Sequence, residues 1–220
     1  MTYTNSDLVT YKNISKHKTV NRTHNIDTIT IHCFVGQVTA KQGCDFFAST
    51  LKECSANYVV GFDGSIGLSV EEKDRSWCSS NRENDMRAIT IEVASGTSEP
   101  YSVTEQAYNA LIKLLVDVCK RNNIKRLLWR NDKSLIGQVD KQNMTVHRWF
   151  ANKSCPGTYL FSNMGEIADS VNAELNKETN KNNRTIYRVQ VGAFSVYENA
   201  VRLRDEFKKN GYDCFIVEVK

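Results

Sequence analysis

Five residues carry reactive groups at positions that could serve one metal site. His147 and Cys155 lie eight apart in "TVHRWFANKSCPG" (Thr145–Gly157), with Lys153 two before the cysteine. A neutral imidazole and a thiolate are good zinc ligands, and a lysine beside a thiol favours the thiolate. His32, in "TITIHC" (Thr28–Cys33), would add a second imidazole. Two histidines and one cysteine leave a fourth position open, as catalytic zinc sites do for water. Glu92, in "AITIEV" (Ala88–Val93), is a carboxylate able to act as general base towards that water. Taken singly, each residue has a plainer reading: a solvated or hydrogen-bonded histidine, a buried thiol, a strand-edge ion pair. Together they share one economical explanation.

Such groups need elements to hold them. Strand alternation puts Ile29, Ile31 and Cys33 on one face and Thr28, Thr30 and His32 on the other. The second stretch turns Ile89, Ile91 and Val93 one way and Ala88, Thr90 and Glu92 the other. "ANYVVGFDGSIGL" reads as a hairpin turning at Asp63-Gly64. A long helix follows Pro100, with a capping box from Ser102 and Glu105 and a stripe of Ala107, Leu111, Leu114, Leu115 and Val118. Leu127–Trp129 reads as a further strand, followed by a polar loop to about Met144. A last helix near Asn163 to Leu175 shows Met164, Ile167, Val171 and Leu175 on one face.

The run "NKETNKNNRT" (residues 176–185) has no apolar residue and reads as a linker. It separates an expected catalytic domain, residues 1–175, from a C-terminal module, residues 186–220. That module reads as strand, helix and strand, with a second capping box from Ser195 and Glu198 and a helix stop at Gly211. So short a unit is below the size at which a lone core suffices, and it needs a partner copy or a surface to dock on.

Composition sets the class. The 220 residues are 40% hydrophobic and 25% charged, which is that of a globular protein able to bury a core. A net charge of +4 suits an anionic polymer partner without demanding one. No apolar run is long enough to span a bilayer. The N-terminus lacks the basic start and apolar core of a secretory signal, so the expectation is a chain made in the cytoplasm. Seven irregularly spaced cysteines without a CxxC fit a reducing compartment better than a disulfide framework. Cys33 reads as core. Cys44, Cys54, Cys78, Cys119 and Cys214 read as ordinary thiols, and His17 and His24 as solvated.

The ordered segments "ITIH…NYVVGFDGSIG…AITIEVAS…TVHRWFANKSCPG", over roughly residues 25 to 175, resemble the zinc-dependent N-acetylmuramoyl-L-alanine amidases of the type-2 amidase and peptidoglycan-recognition superfamily. The likeness is greatest to clostridial and phage-borne lysins. It implies an α/β fold with a central mixed sheet flanked by helices and zinc in a groove on the sheet. By motif the metal ligands would be His32, His147 and Cys155, and the catalytic pair Glu92 and Lys153. Some relatives carry a tyrosine near the start of the "NYVV" strand; that place falls on Ala56 here, and Tyr58 is given no catalytic role. The polar segment Val70 to Asp85 would border the groove, where Trp77 could stack on a sugar and Arg75 bind a stem-peptide carboxylate.

"YRVQVGAFSVYENAVRLRDEFKKNGYDCFIVEV" resembles one half of the SPOR peptidoglycan-binding module. Two chains could complete the unit by pairing residues 186–220 into a homodimer. The resemblances imply one zinc ion per chain, peptidoglycan as partner rather than nucleic acid or a membrane, and lysis of the wall after release from the cell. Two alternatives stay open: a non-catalytic recognition protein of the same fold, and a cysteine enzyme built on Cys155 and His147. The second leaves His32 and Glu92 without a role.

Overall fold

The computed structural model describes residues 3–182 and 189–218. The chain divides into two units, Met1–Lys181 and Asn182–Lys220. In chain order the elements of the first are β1 (Tyr11–Lys12), β2 (Lys18–Thr19), β3 (Thr28–Cys33), α1 (Ala40–Ser49), β4 (Tyr58–Val60), β5 (Ile66–Leu68), β6 (Arg75–Ser76), α2 (Arg82–Arg87), β7 (Ala88–Val93), α3 (Glu105–Arg121), β8 (Met144–Val146) and α4 (Gly157–Asn182). Six strands form a sheet in the order β1-β5-β4-β7-β3-β8. β2 and β6 form a separate antiparallel pair; within the six-stranded sheet only β4 and β5 pair antiparallel, through the hairpin turn at Gly64 with φ +81°. The other pairs are parallel, so the sheet is mixed, and helices cover it as expected.

The alternating isoleucines explain the layering. Ile29, Ile31, Ile89 and Ile91 are fully buried against Leu111, Leu114, Leu115 and Val118 of α3 and Leu160, Met164, Ile167 and Val171 of α4. On the opposite face α1 packs Cys44 and Phe47 on Val59 of β4. Gly43 allows that approach, since a Cβ there would meet Val59 Cγ1 at 2.6 Å. The rest of this face carries the polar side chains of β3 and β7. Thr30 Oγ1 lies 2.8 Å from Thr145 Oγ1, Asn84 bridges both, and Ser76 Oγ lies 2.7 Å from Thr90 Oγ1. Buried hydroxyls are thereby satisfied by one another rather than by water.

A buried ionic hub ties the core to the N-terminal arm. Tyr58 donates to Glu72 Oε1 at 2.6 Å and accepts from the Ser6 backbone N–H at 2.9 Å. Arg121 and Asn122 donate to the same carboxylate at 2.7 and 3.0 Å. Tyr58 is wholly buried and structural, in keeping with its lack of an expected catalytic role. Glu72→Gln leaves Arg121 with only the partly exposed Asp117, at 2.8 Å, as counter-charge; a loss of about 2–4 kcal/mol is expected in denaturant unfolding. A loss below about 1 kcal/mol would contradict this account of the hub.

Several local expectations are corrected. The cap of α3 is Thr104, whose hydroxyl accepts from Ala107 N–H, because the Ser102 carbonyl is held by Gly96 N–H at 2.8 Å. Leu127–Trp129 forms no strand. Its backbone bonds go mostly to side chains instead: Asn172 accepts from Leu127 N–H and donates to Leu127 O, and Asn143 accepts from Leu128 N–H with its side chain while its own N–H donates to Leu128 O. α4 continues through Asn182 into the stretch read as a linker, helped by a Glu174–Lys177 ion pair one turn apart at 2.6 Å. Linker residues 183–185 lie outside the described residues. His17 is buried, not solvated, with Nε2 3.0 Å from the Thr50 carbonyl.

The second unit contains α5 (Tyr197–Lys209). It stops at Gly211, φ +82°, where Gly211 N–H and Tyr212 N–H return to the carbonyls of Lys208 and Phe207. Its N-cap is Val196 with no side-chain bond, so the Ser195 capping box does not form. The expected flanking strands are also not formed within residues 189–194 and 212–218. Val189, Val191, Phe215 and Val217 there are half or more exposed. Two short parallel strands around one helix have no third strand to pair with, and such a fragment is not stable alone. Residues 186–188, which begin the first expected strand, lie outside the described residues.

Candidate metal centre and substrate groove

The register of β3 on β7 sets His32 directly beside Glu92, and β4 adds Val59 on the other side of Glu92. His32 has no exposed surface. Burial, and next the neighbouring His147, lower its pKa to about 3, so the ring is neutral and can act as a ligand. His147 follows β8 in a 3-10 turn, Val146 being the last residue paired to β3. Its ring centroid is 5.1 Å from that of His32. Cys155 comes back to the same place, its Sγ 3.4 Å from His32 Nδ1. Arg148 closes the intervening loop: its backbone N–H donates to the Cys155 carbonyl, its side chain donates to Ser154 O, and its guanidinium covers the Phe161 ring.

His32, His147 and Cys155 thus present three donor atoms within 4.8 Å of one another. The set fits a soft-to-borderline divalent ion such as zinc. Ser80 Oγ lies 3.1 Å from His147 Nε2, which leaves Nδ1 as the nitrogen free for a metal. The thiol of Cys155 is pushed up by its hydrogen bond with Cys33 and by burial. A coordinating cation reverses that shift, because metal-bound thiols are deprotonated. A second trio, His32, Cys78 and Glu92, meets the same distance limit. It shares His32 with the first.

Glu92 is held on one side only. Cys78 Sγ contacts its Oε1 at 3.8 Å, while Oε2 is sealed from solvent with no partner. His32 Nε2 is likewise buried and unpartnered. Burial, with Cys33 nearby, raises the Glu92 pKa well above the carboxylate range. An unpartnered buried carboxylate oxygen is costly and points to a missing proton-bearing partner at that spot.

A groove opens beside them, lined by Arg75, Trp77, Ser80, Asp85, His147 and Lys153 among others. Lys153 is exposed at its rim and lowers the pKa of His147 after burial does. The structure brings His32, His147 and Cys155 together beside Glu92, and places Lys153, Arg75 and Trp77 along a groove that His147 also lines. Sequence reasoning missed Ser80, Cys78 and Arg148. The signal for Ser80 is its left-handed backbone, φ 61°, rare outside glycine and visible only in the fold.

The fold is shared with several solved proteins. The chain matches PlyL with a TM-score of 0.55 at 14% identity, over 73% of this chain and 95% of that one. It matches a mutant endolysin from Bacillus subtilis with 0.53 at 14%, over 74% and 99%. For a selenomethionine derivative of AmpD the values are 0.56 and 17%, over 76% and 99%. No curated protein matches the chain in sequence. The SPOR domain profile matches residues 163–218, starting within α4. The profile described as N-acetylmuramoyl-L-alanine amidase matches residues 22–158, more than half of the chain, and spans every donor and groove residue above. The chain therefore belongs to the N-acetylmuramoyl-L-alanine amidase family, the peptidoglycan hydrolases that cut the amide between N-acetylmuramic acid and L-alanine.

Proposed function

We propose that the chain is a zinc-dependent amidase in which His32, His147 and Cys155 hold the ion. Glu92 is then the general acid–base, and Lys153 supports the charge on the scissile carbonyl. The observation that carries this is the convergence of three ligand atoms beside a buried carboxylate oxygen with no partner. Bound there, zinc would supply Lewis acidity and make water a nucleophile near neutral pH.

The chain's own groups perform the proton transfers. Glu92 Oε2 takes the proton of the attacking water; a cation held by His32, His147 and Cys155 beside it would offset the burial and keep the carboxylate ionised for that step. As the carbonyl oxygen gains charge, the Lys153 ammonium at the groove rim offsets it. Glu92 then gives its proton to the nitrogen of L-alanine, and the C–N bond breaks to leave a muramyl carboxylic acid and a free amine. Arg75 and Trp77 bind the substrate, the guanidinium taking a stem-peptide carboxylate and the indole a sugar face. The chain would act on the wall as an endolysin or autolysin released from the cytoplasm.

Metal analysis tests the ligand assignment. One zinc per chain is expected, lost in Cys155→Ser. Ser80→Ala, which frees the second nitrogen of His147, is expected to weaken zinc binding by about 10–100-fold in competition with a chelating dye. Unchanged affinity would remove Ser80 from this role.

The reading divides the chain into a catalytic domain, a short connection and a SPOR-like module. The exposed apolar residues flanking α5, with backbone not paired into strands, support self-association of two such halves. Sedimentation of the full chain is expected to show a concentration-dependent dimer. Val191→Asp with Phe215→Asp should abolish it, and a monomer at every concentration excludes it.

A further inference from the structure

The amidase profile begins at residue 22, and what precedes it is not a loose tail. β1 pairs with β5, Thr10 N–H donates to Ile66 O at 2.8 Å, and Ser15 Oγ donates to Phe47 O at 2.7 Å. His17 is clasped from both sides: its carbonyl accepts from Ser55 Oγ at 2.5 Å and its ring lies 5.9 Å from that of Trp77. Lys18 pairs with the buried Asp74 at 2.7 Å. The arm then lays β2 against β6, with Thr19 opposite Arg75.

At that pairing one hydroxyl holds both groove residues. Thr19 Oγ1 accepts from Arg75 Nε at 3.1 Å, from Arg75 Nη2 at 2.7 Å and from Trp77 Nε1 at 3.0 Å. The guanidinium carbon sits 5.9 Å from the Trp77 ring. Among the described residues Arg75 forms no ion pair, and Nη1 has no hydrogen-bond partner. The orienting partner of Arg75 is a neutral oxygen, so no ion pair competes with a ligand for the guanidinium; Asp85, in the same groove, acts on it without pairing. The indole N–H has a single donor and it is used here, so both side chains share one anchor.

We infer that Thr19 is a positioning residue for substrate: the N-terminal arm, outside the amidase profile, fixes Arg75 and Trp77 as one preorganised edge of the groove that takes a carboxylate-bearing stem peptide. The inference rests on the proposed role of Arg75 and Trp77. Without the hydroxyl, both long side chains must be ordered anew at each binding event, which weakens binding and leaves the reacting atoms untouched.

Steady-state kinetics of the full chain on a soluble muramyl peptide with free stem carboxylates test it. Thr19→Val keeps the strand shape and removes the acceptor. It is expected to raise KM about tenfold with kcat within about twofold. Thr19→Ser should restore KM. In an Arg75→Ala background, Thr19→Val should add little, since the two act together. A wild-type KM for Thr19→Val, with Arg75→Ala raising KM, overturns the positioning role and leaves the groove reading in place. A wild-type KM for Arg75→Ala overturns the groove reading itself. Failure of Thr19→Ser to restore KM also overturns the inference, because a shape effect would then account for the loss.

Discussion

Glu92→Gln is expected to lower amide hydrolysis by about a thousandfold, within the range that general acid–base groups supply, while zinc stays bound at one per chain. The amide is nearly the size of the carboxyl, so the packing of Oε1 on Cys78 survives. What is lost is the single atom able to accept and return the proton, the buried and unpartnered Oε2. The variant also separates the two donor trios. If zinc sat between His32, Cys78 and Glu92, Glu92→Gln would release it and Cys155→Ser would not. The account requires the reverse. Near-wild-type turnover in Glu92→Gln would end the assignment of Glu92.

Stripping the metal is the second large effect. Dialysis against a chelator is expected to bring wall lysis to background, and one equivalent of zinc to restore it. Melting should fall as well, since a ligand at a hundred times its Kd adds about 2.7 kcal/mol to folding. The convergence of three ligand atoms explains why the loss should be steep: without an ion, His32, His147 and Cys155 are left with only weak thiol and hydroxyl contacts in place of metal bonds. A cysteine hydrolase using Cys155 and His147 predicts the opposite pattern, with alkylation inhibiting and chelation harmless. In the zinc enzyme, bound metal should protect Cys155 from alkylation.

The chemistry of this chain was readable wherever it followed strand alternation. "TITIHC" and "AITIEV" pair in register, so their isoleucines enter one core together and His32 meets Glu92 on the opposite face. The helical stripes of α3 and α4 were equally plain, because burial and period agree. Leu127–Trp129 misled because its apolar residues look like a strand, yet its hydrogen bonds come from Asn143 and Asn172, distant in sequence. The helical stretch 176–182 misled in the other direction: α4 runs on through Asn176, Thr179, Asn180 and Asn182, poor helix formers, so an established helix continues where local propensity and the lack of an apolar stripe argue against it. Ser80 and Thr19 were invisible because their roles depend on backbone geometry and on a partner strand 56 residues away. Trp77 and Arg75 were found as types, and their shared anchor was not.

The chemical centre of this account is one bond, and mass analysis of digested peptidoglycan reads it directly. With purified walls in water enriched in heavy oxygen, the full chain is expected to release stem peptides with a free L-alanine amine. The glycan strands left behind should carry the label in the muramyl lactyl carboxylate. Label at a sugar reducing end, or stem peptides cut between amino acids, would contradict it.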